Sequence, residues 1–316
     1  MPVERRRRRR RRAPLALILV AVLAGGGAFA FRHFDTTAAP AAAAHRQAPA
    51  VRHPAPPAAP PRLLSALRLV PVPLRVSARS AILVDADTGR VRWEKAAHRR
   101  RPIASTTKIM TATLVLERLP LHRVVRVPPA ATRTPLVREG LRRKERVPAW
   151  KLLDGLLIFS GNDDAYALAV AAARSRPRFV KLMNEKARAL GLQDTHFTSV
   201  SGVVDKGNYS TAWDLAALTR YALRDARFRK VVATRIARVR WSAPTFGKVY
   251  VNKNQLLGTY RGADGVKTGW TTLAGHCLVA SAHRHGRGLI AVVLHSADPY
   301  RDARRLLNFG FSGSGS

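Results

Sequence analysis

The sequence predicts an α+β fold, with an antiparallel sheet flanked by helices in a single domain. A strand–turn–strand pattern opens the folded part, and helical patterns fill its middle. Alternating strands followed by one last helix close it, and strands segregated from helices in this way mark the α+β class.

The elements follow in order. Ser80–Asp85 (SAILVD) and Val91–Glu94 (VRWE) are strand-like runs joined across Asp87-Thr88-Gly89, a hairpin turn. From Ser105 onward, Ile109, Met110, Thr113, Leu114 and Leu116 recur at helical spacing, and Pro120 ends the helix. Trp150–Phe159 and Asp164–Ala173 read as two more helices, bent at Ser160-Gly161-Asn162. The charges of Asp163 and Asp164 suit a helix start. Phe179–Leu190 is helical and stops at Gly191, while Thr211-Ala212-Trp213-Asp214 has capping-box spacing. Gly265–Gly269, His276–His283 and Leu289–Leu294 form an antiparallel meander, with His283-Arg284-His285 solvated in a turn. Tyr300–Phe309 is the closing helix. The first hairpin is expected to join the late strands in one sheet.

Composition narrows the class further. The chain has 316 residues, and a hydrophobic fraction of 47% excludes wholesale disorder. Its one cysteine, Cys277, excludes an internal disulfide framework and a cysteine-rich zinc site, and reads as a buried core residue. Net charge is +37; residues 1–61 carry +9 of it, leaving +28 on residues 62–316. Arg5–Arg12 is an unbroken arginine run placed directly before the apolar stretch Ala13–Phe31. That order reads as the cytoplasmic flank of an export segment, and residues 1–31 fit either a signal peptide or a membrane anchor. Ala28-Phe29-Ala30 offers a cleavage site. Either outcome places the remainder outside the cytoplasm. Residues 32–61 are Ala- and Pro-rich and read as an extended tether, which leaves residues 62–316 for the folded domain. Outside a cell, basic charge points to anionic wall polymer, a membrane surface or peptidoglycan carboxylates. No nucleic-acid motif supports a nucleic-acid partner.

Three short motifs carry chemistry. Ser105-Thr106-Thr107-Lys108 places a hydroxyl and an amine on one helix face, near N–H groups that can hold an oxyanion. Ser160-Gly161-Asn162 supplies a hydroxyl for proton relay and an amide for a substrate peptide group. Lys267-Thr268-Gly269 offers a cation and a hydroxyl for a carboxylate, with Gly269 letting substrate lie against the strand edge. Each alone also reads plainly, as a capped helix, a helix–helix turn or an edge-strand lysine. In this order and these settings they match the set found in penicillin-binding proteins and β-lactamases, with S-G-N in place of S-D-N.

Taken together, Ser80–Phe311 resembles the serine-type D-alanyl-D-alanine carboxypeptidases, low-molecular-mass penicillin-binding proteins. RPIASTTKIMTA, LLDGLLIFSGNDDAYALA and GADGVKTGWTTLAG carry the likeness at the motifs. LMNEKARALGLQDTHF and YSTAWDLAALTRYAL extend it outside them. The resemblance implies a β-lactamase/DD-peptidase-like fold and acylation of Ser105 with Lys108 as base. It implies Ser160 in proton delivery, Asn162 on the substrate backbone, and Lys267 with Thr268 on the terminal carboxylate. The oxyanion would lie between the N–H groups of Ser105 and Trp270. Peptidoglycan stem peptides are the implied substrate, covalent β-lactam binding is expected, and no cofactor or metal is implied.

Some features depart from the family. Thr198-Ser199-Val200-Ser201-Gly202 replaces an Asn-Pro-x-Gly turn. The chain stops at Ser316, so neither a β-rich second domain nor a C-terminal membrane helix is expected, and any attachment comes from the N-terminus. Arg301 and Arg304 lie where members of that family often place a further substrate-facing Arg, and Arg301 is the one weighed, for the aptness of Arg toward carboxylates. A D,D-endopeptidase, a β-lactamase and a non-catalytic wall-binding protein of the same fold are the competing readings.

Overall fold

β1 (Ser80–Asp85) and β2 (Val91–Lys95) form the opening hairpin. A 3-10 turn at Ala104–Thr107 leads into α1 (Lys108–Arg118). β3 (Val124–Arg126) and β4 (Arg146–Pro148) pair before α2 (Ala149–Asp154), which runs into a π turn at Gly155–Phe159. α3 (Asn162–Ala173), α4 (Arg176–Ala189), α5 (Ala212–Ala222) and α6 (Ala226–Ala233) follow. A small hairpin, β5 (Ile236–Val239) and β6 (Lys248–Val251), precedes β7 (Ala263–Thr271), β8 (Gly275–Arg284) and β9 (Arg287–Ser296). α7 (Pro299–Ser312) closes the domain. This computed structural model describes residues 63–65, 73–203, 206–241 and 247–312, all within the unit Pro56–Ser316. The arginine run, the apolar segment 13–31 and the tether 32–61 lie outside the described residues. Among the described residues no helix is long and apolar enough to cross a membrane.

The main sheet has the order β2-β1-β9-β8-β7 and is antiparallel throughout, so the first hairpin does join the late meander. Side chains of β1 alternate between two apolar layers. Ile82 and Val84 pack with Val279, Ile290 and Val292 toward the helical side that holds α1 and α5. Ala81 and Leu83 pack with Leu278, Ala280 and Val293 against Leu306 and Leu307 of α7. A strand covered on both faces needs no polar alternation, which explains the continuous run in SAILVD.

Several local expectations shift. Ser175 caps α4 by accepting from Arg178 N, and Pro177 fits the first turn, so the helix starts earlier than the sequence suggests. Thr211 Oγ1 accepts from Asp214 N at 3.0 Å, half of the expected capping box. The Asp214 carboxylate instead accepts from Asp194 N (3.0 Å) and the Thr195 hydroxyl (2.7 Å), so it fastens the preceding loop. His283 is not simply solvated, because its ring nitrogen pairs with Asp264.

Asp302 locks α7 to the sheet. Its buried carboxylate accepts from Ser77 N, the Ser77 hydroxyl, Ala78 N and the Ser296 hydroxyl at 2.7–2.9 Å. Burial alone would raise this carboxyl, but the bonds from Ser296, Ser77 and Ala78 outweigh it and hold the group below the usual range. A depressed folded pKa stabilises above the ordinary carboxyl range and loses that contribution as pH falls through the folded value. Asp302→Ala is expected to cost about 3 kcal/mol in urea unfolding at neutral pH, with the difference shrinking in acid.

Candidate active site

The 3-10 turn at Ala104–Thr107 presents Ser105 at the mouth of the domain. Thr106 Oγ1 donates to Ile103 O at 2.6 Å, and Ile103, Thr106 and Thr107 are buried, so the turn is fixed from below. Ala104 stands at φ +46°, a left-handed conformation uncommon for a residue with a side chain and often found where function imposes it. Ser105 was expected within the α-helix; the α-helix itself begins only at Lys108. Lys108 is wholly buried, and its Nζ lies 2.9 Å from Ser105 Oγ, 2.7 Å from Asn162 Oδ1 and 3.3 Å from Ser201 O. Burial, then the positive charges of Lys267 and Lys253, pushes its pKa well below that of an ordinary lysine. An uncharged amine held against a hydroxyl can accept that hydroxyl's proton.

Ser160 follows directly from the π turn, a feature frequent at functional sites. It is left-handed (φ +73°, ψ +34°) and buried, yet its side chain borders the cleft. Gly161 N donates to Gly155 O (3.0 Å) and Asn162 N to Val137 O (2.8 Å), which closes the turn from both sides. Asn162 is also deeply engaged within the protein: Oδ1 accepts from Lys108, and Nδ2 donates to Pro135 O at 2.9 Å. An amide nitrogen has two hydrogens, so Pro135 leaves one for another acceptor.

β7 is an edge strand of the main sheet and lies beside the Ser105 turn. A Cβ on Gly269 would stand 3.0 Å from both Ile103 O and Ser105 N. Gly269 therefore permits the close approach of β7 to the Ser105 turn. Lys267 is buried, and its Nζ donates to Thr268 O at 3.0 Å. Burial, then the nearby Lys253 charge, lowers its pKa to about 7. Trp270 is 58% exposed, with its ring 6.2 Å from that of His276.

Ser105, Ser160, Thr268, Gly269 and Trp270 line one cleft of about 300 Å³, with Lys108, Asn162 and Lys267 buried behind it. Sequence reasoning does not find several further lining residues, among them Lys253, Tyr300 and Val137. Lys253 carries its ammonium 5.3 Å from the centre of the Phe159 ring, and no local pattern marks it. Tyr300 donates its hydroxyl to Lys253 O at 2.7 Å, and Val137 comes from the loop before β4. Arg301, weighed from sequence, is exposed and does not line the cleft; the adjoining Pro299 and Tyr300 do. Cys277 also borders it, but burial raises its thiol to about 11, so it is a poor nucleophile. The unusual segment Thr198–Gly202 supplies the Ser201 carbonyl to Lys108. Among the described residues no group of three or more side chains is placed to hold a metal.

The comparisons with known proteins agree with this geometry. The family model described as D-alanyl-D-alanine carboxypeptidase matches residues 68–298. The D-alanyl-D-alanine carboxypeptidase DacF of Bacillus subtilis is 36% identical over 244 residues, 74% of this chain and 62% of that protein. The chain therefore spans about three fifths of that relative. A D-alanyl-D-alanine carboxypeptidase of Streptomyces sp. K15 is 36% identical over 261 residues, 75% of this chain and 88% of that one. The crystal structure of the Streptomyces K15 DD-transpeptidase superposes with a TM-score of 0.73 at 34% identity, covering 77% of this chain and all of that one. That of a D-alanyl-D-alanine carboxypeptidase from Mycobacterium tuberculosis gives 0.73 at 32% identity, covering 79% and 96%.

Proposed function

Since the chain belongs to the D-alanyl-D-alanine carboxypeptidase family, we propose that it removes the terminal D-alanine from peptidoglycan stem pentapeptides through an acyl-serine intermediate. The observation that carries this reading is the 2.9 Å contact between Ser105 Oγ and a buried lysine amine of lowered pKa. Lys108 takes the Ser105 proton as Oγ attacks the carbonyl between the two D-alanines. The oxyanion forms beside the Ser105 and Trp270 N–H groups, a placement supported by the approach of β7 to Ser105. The C–N bond then breaks, and the proton reaches the departing amine by way of Ser160. Water attacks the ester, returns its proton through the same groups and frees Ser105. The second Asn162 amide hydrogen suits a substrate carbonyl, and Lys267 with Thr268 suits the terminal carboxylate.

Covalent acylation of Ser105 by β-lactams follows from the same chemistry. The arginine run ahead of the apolar segment supports action outside the cytoplasm, where +28 on residues 62–316 suits an anionic wall polymer or membrane surface.

Lys267 gives the reading a pH signature. A lysine is charged below its pKa, so carboxylate capture by the free protein weakens as pH rises through about 7. The base function of Lys108 strengthens with rising pH, so kcat/KM is expected to be bell-shaped. Lys267→Met should raise KM about tenfold with a smaller change in kcat, and should remove the Lys267 step from the alkaline limb.

The decisive experiment incubates the protein with a monomeric pentapeptide muropeptide and a cross-linked dimer, with Ser105→Ala as control. Loss of one D-alanine from the monomer supports the proposal. Cleavage of the dimer alone would make the protein an endopeptidase, and no Ser105-dependent product would leave a wall-binding protein.

A further inference from the structure

Beneath the Ser160 turn lie two carboxyl groups that the mechanism above does not use. Asp164, in the first turn of α3, is fully buried, and the Glu139 side chain is 1% exposed. Glu139 Oε1 accepts from Lys248 Nζ at 2.7 Å and from the Tyr250 hydroxyl, both on β6. Glu139 Oε2 and both Asp164 oxygens receive no N–H or O–H from elsewhere among the described residues. They fill the underside of the π turn: a Cβ on Gly155 would lie 2.6 Å from each Asp164 oxygen, and one on Gly161 would overlap Oδ2.

Two buried carboxyl groups in contact do not both ionise, and one proton between them turns repulsion into a hydrogen bond. Burial, then the Glu139 charge and the hydrogen bond to Glu139, pushes Asp164 well above the usual carboxylate range. The charge of Asp163 adds to that push, and Lys248 on β6 opposes it. Asp154, below the same turn, is raised to about 6 by burial and by Glu139, while Lys230 opposes. Lys108 on α1 and Tyr250 on β6 also lie within electrostatic reach of Asp164. Asp164 is thus the partner that keeps its proton, facing Glu139, whose other oxygen is paired with Lys248.

The surrounding bonds tie this pair to the active site. Asp163 accepts from the backbone N–H groups of Glu139, Gly140 and Leu141 at 2.9–3.1 Å, which fastens their loop to α3. The same stretch of chain supplies Pro135 O and Val137 O to Asn162, whose Oδ1 accepts from Lys108. Helix-dipole stabilisation alone, the sequence expectation for Asp163 and Asp164, does not describe either residue.

We propose that Asp164 and Glu139 form a proton-sharing carboxyl pair that holds the Ser160–Asn162 turn in register with Ser105 and Lys108. Asp164 is a positioning residue that donates to Glu139, and neither group touches substrate. The inference rests on the reading of Ser160 and Asn162 as active-site residues.

The test follows acyl-enzyme formation with benzylpenicillin and thermal melting against pH, for the wild type, Asp164→Asn and Asp164→Ala. Asparagine keeps a donor toward Glu139, and alanine removes it. Asp164→Ala is expected to acylate at least about tenfold more slowly, and Asp164→Asn to recover most of the wild-type rate. A raised carboxyl pKa makes folding less favourable at every pH above the ordinary carboxyl value, increasingly so until the folded group ionises. Asp164→Asn should therefore melt above the wild type at neutral pH, by a margin that vanishes in acid. Wild-type acylation by Asp164→Ala would overturn the proposal. So would an Asp164→Asn variant that melts below the wild type by a margin independent of pH, since that marks an ionised Asp164. If alanine prevents folding, the asparagine comparison still decides. Melting needs no activity, so it judges the pair even where the wild type fails to acylate, a failure that falls on the active-site reading instead.

Discussion

Ser105→Ala is expected to lower D-alanine release by about 10⁴-fold or more and to abolish the β-lactam adduct, while the protein folds as before. Ser105 stands at the cleft with Lys108 Nζ 2.9 Å away, and no other hydroxyl among the described residues shares that contact. Ser160 borders the same cleft, but the Lys108 amine is given to Ser105, Asn162 and the Ser201 carbonyl. Removing Oγ therefore removes the nucleophile without leaving a substitute. The loss in β-lactam labelling is read by intact-protein mass spectrometry, and the fold by circular dichroism. A Ser105→Ala protein that still gained the adduct would move the nucleophile elsewhere.

Lys108 substitutions should be nearly as damaging, and their pattern separates two roles. If Lys108 acts as a base, both Lys108→Met and Lys108→Arg lose about 10³-fold or more in acylation rate. Methionine offers no basic nitrogen, and a guanidinium does not give up its proton in a protein. If the site needed only a positive charge beside Ser105, arginine would keep part of the activity that methionine loses. The Asn162 link makes a further distinction. Asn162→Ala removes the acceptor at 2.7 Å and the anchor to Pro135 while leaving the lysine in place, so a smaller loss than either Lys108 change is expected.

Much of this site is legible in the sequence because its chemistry is local. A spacing of three places Ser105 and Lys108 one above the other whether the turn is 3-10 or α, so the wrong helix type did not mislead. The strands β8 and β9 declare themselves by long apolar runs, since the sheet is buried on both faces, and the closing helix by apolar residues at helical spacing such as Ala303, Leu306 and Leu307. The small hairpins β3–β4 and β5–β6 do not, because strands of three or four residues, each with one Arg or Lys, show no usable alternation. Residues that reach the site by tertiary packing were equally hidden. Lys253 enters the cleft from the connection between β6 and β7, and only its effect on Lys267 and Lys108 shows that it is a third cation there. Glu139 meets Asp164 across more than twenty residues of chain that include β4, α2 and the π turn, and neither has a neighbour in sequence that hints at the other. Asn162 is legible as a member of the motif, but its grip on Lys108 is a tertiary contact that no local pattern marks.

The mechanism depends most on Lys108 acting on Ser105 as an uncharged amine. With lysines labelled by ¹³C at Cε, the Lys108 resonance can be assigned by its loss in Lys108→Met and followed with pH by NMR. Burial and two neighbouring lysine charges predict that the Lys108 resonance reaches the neutral-amine shift well below the pH at which an ordinary lysine does, while Lys267 titrates at about 7. A Lys108 resonance that keeps the charged shift up to the ordinary lysine range would contradict the mechanism at its first step.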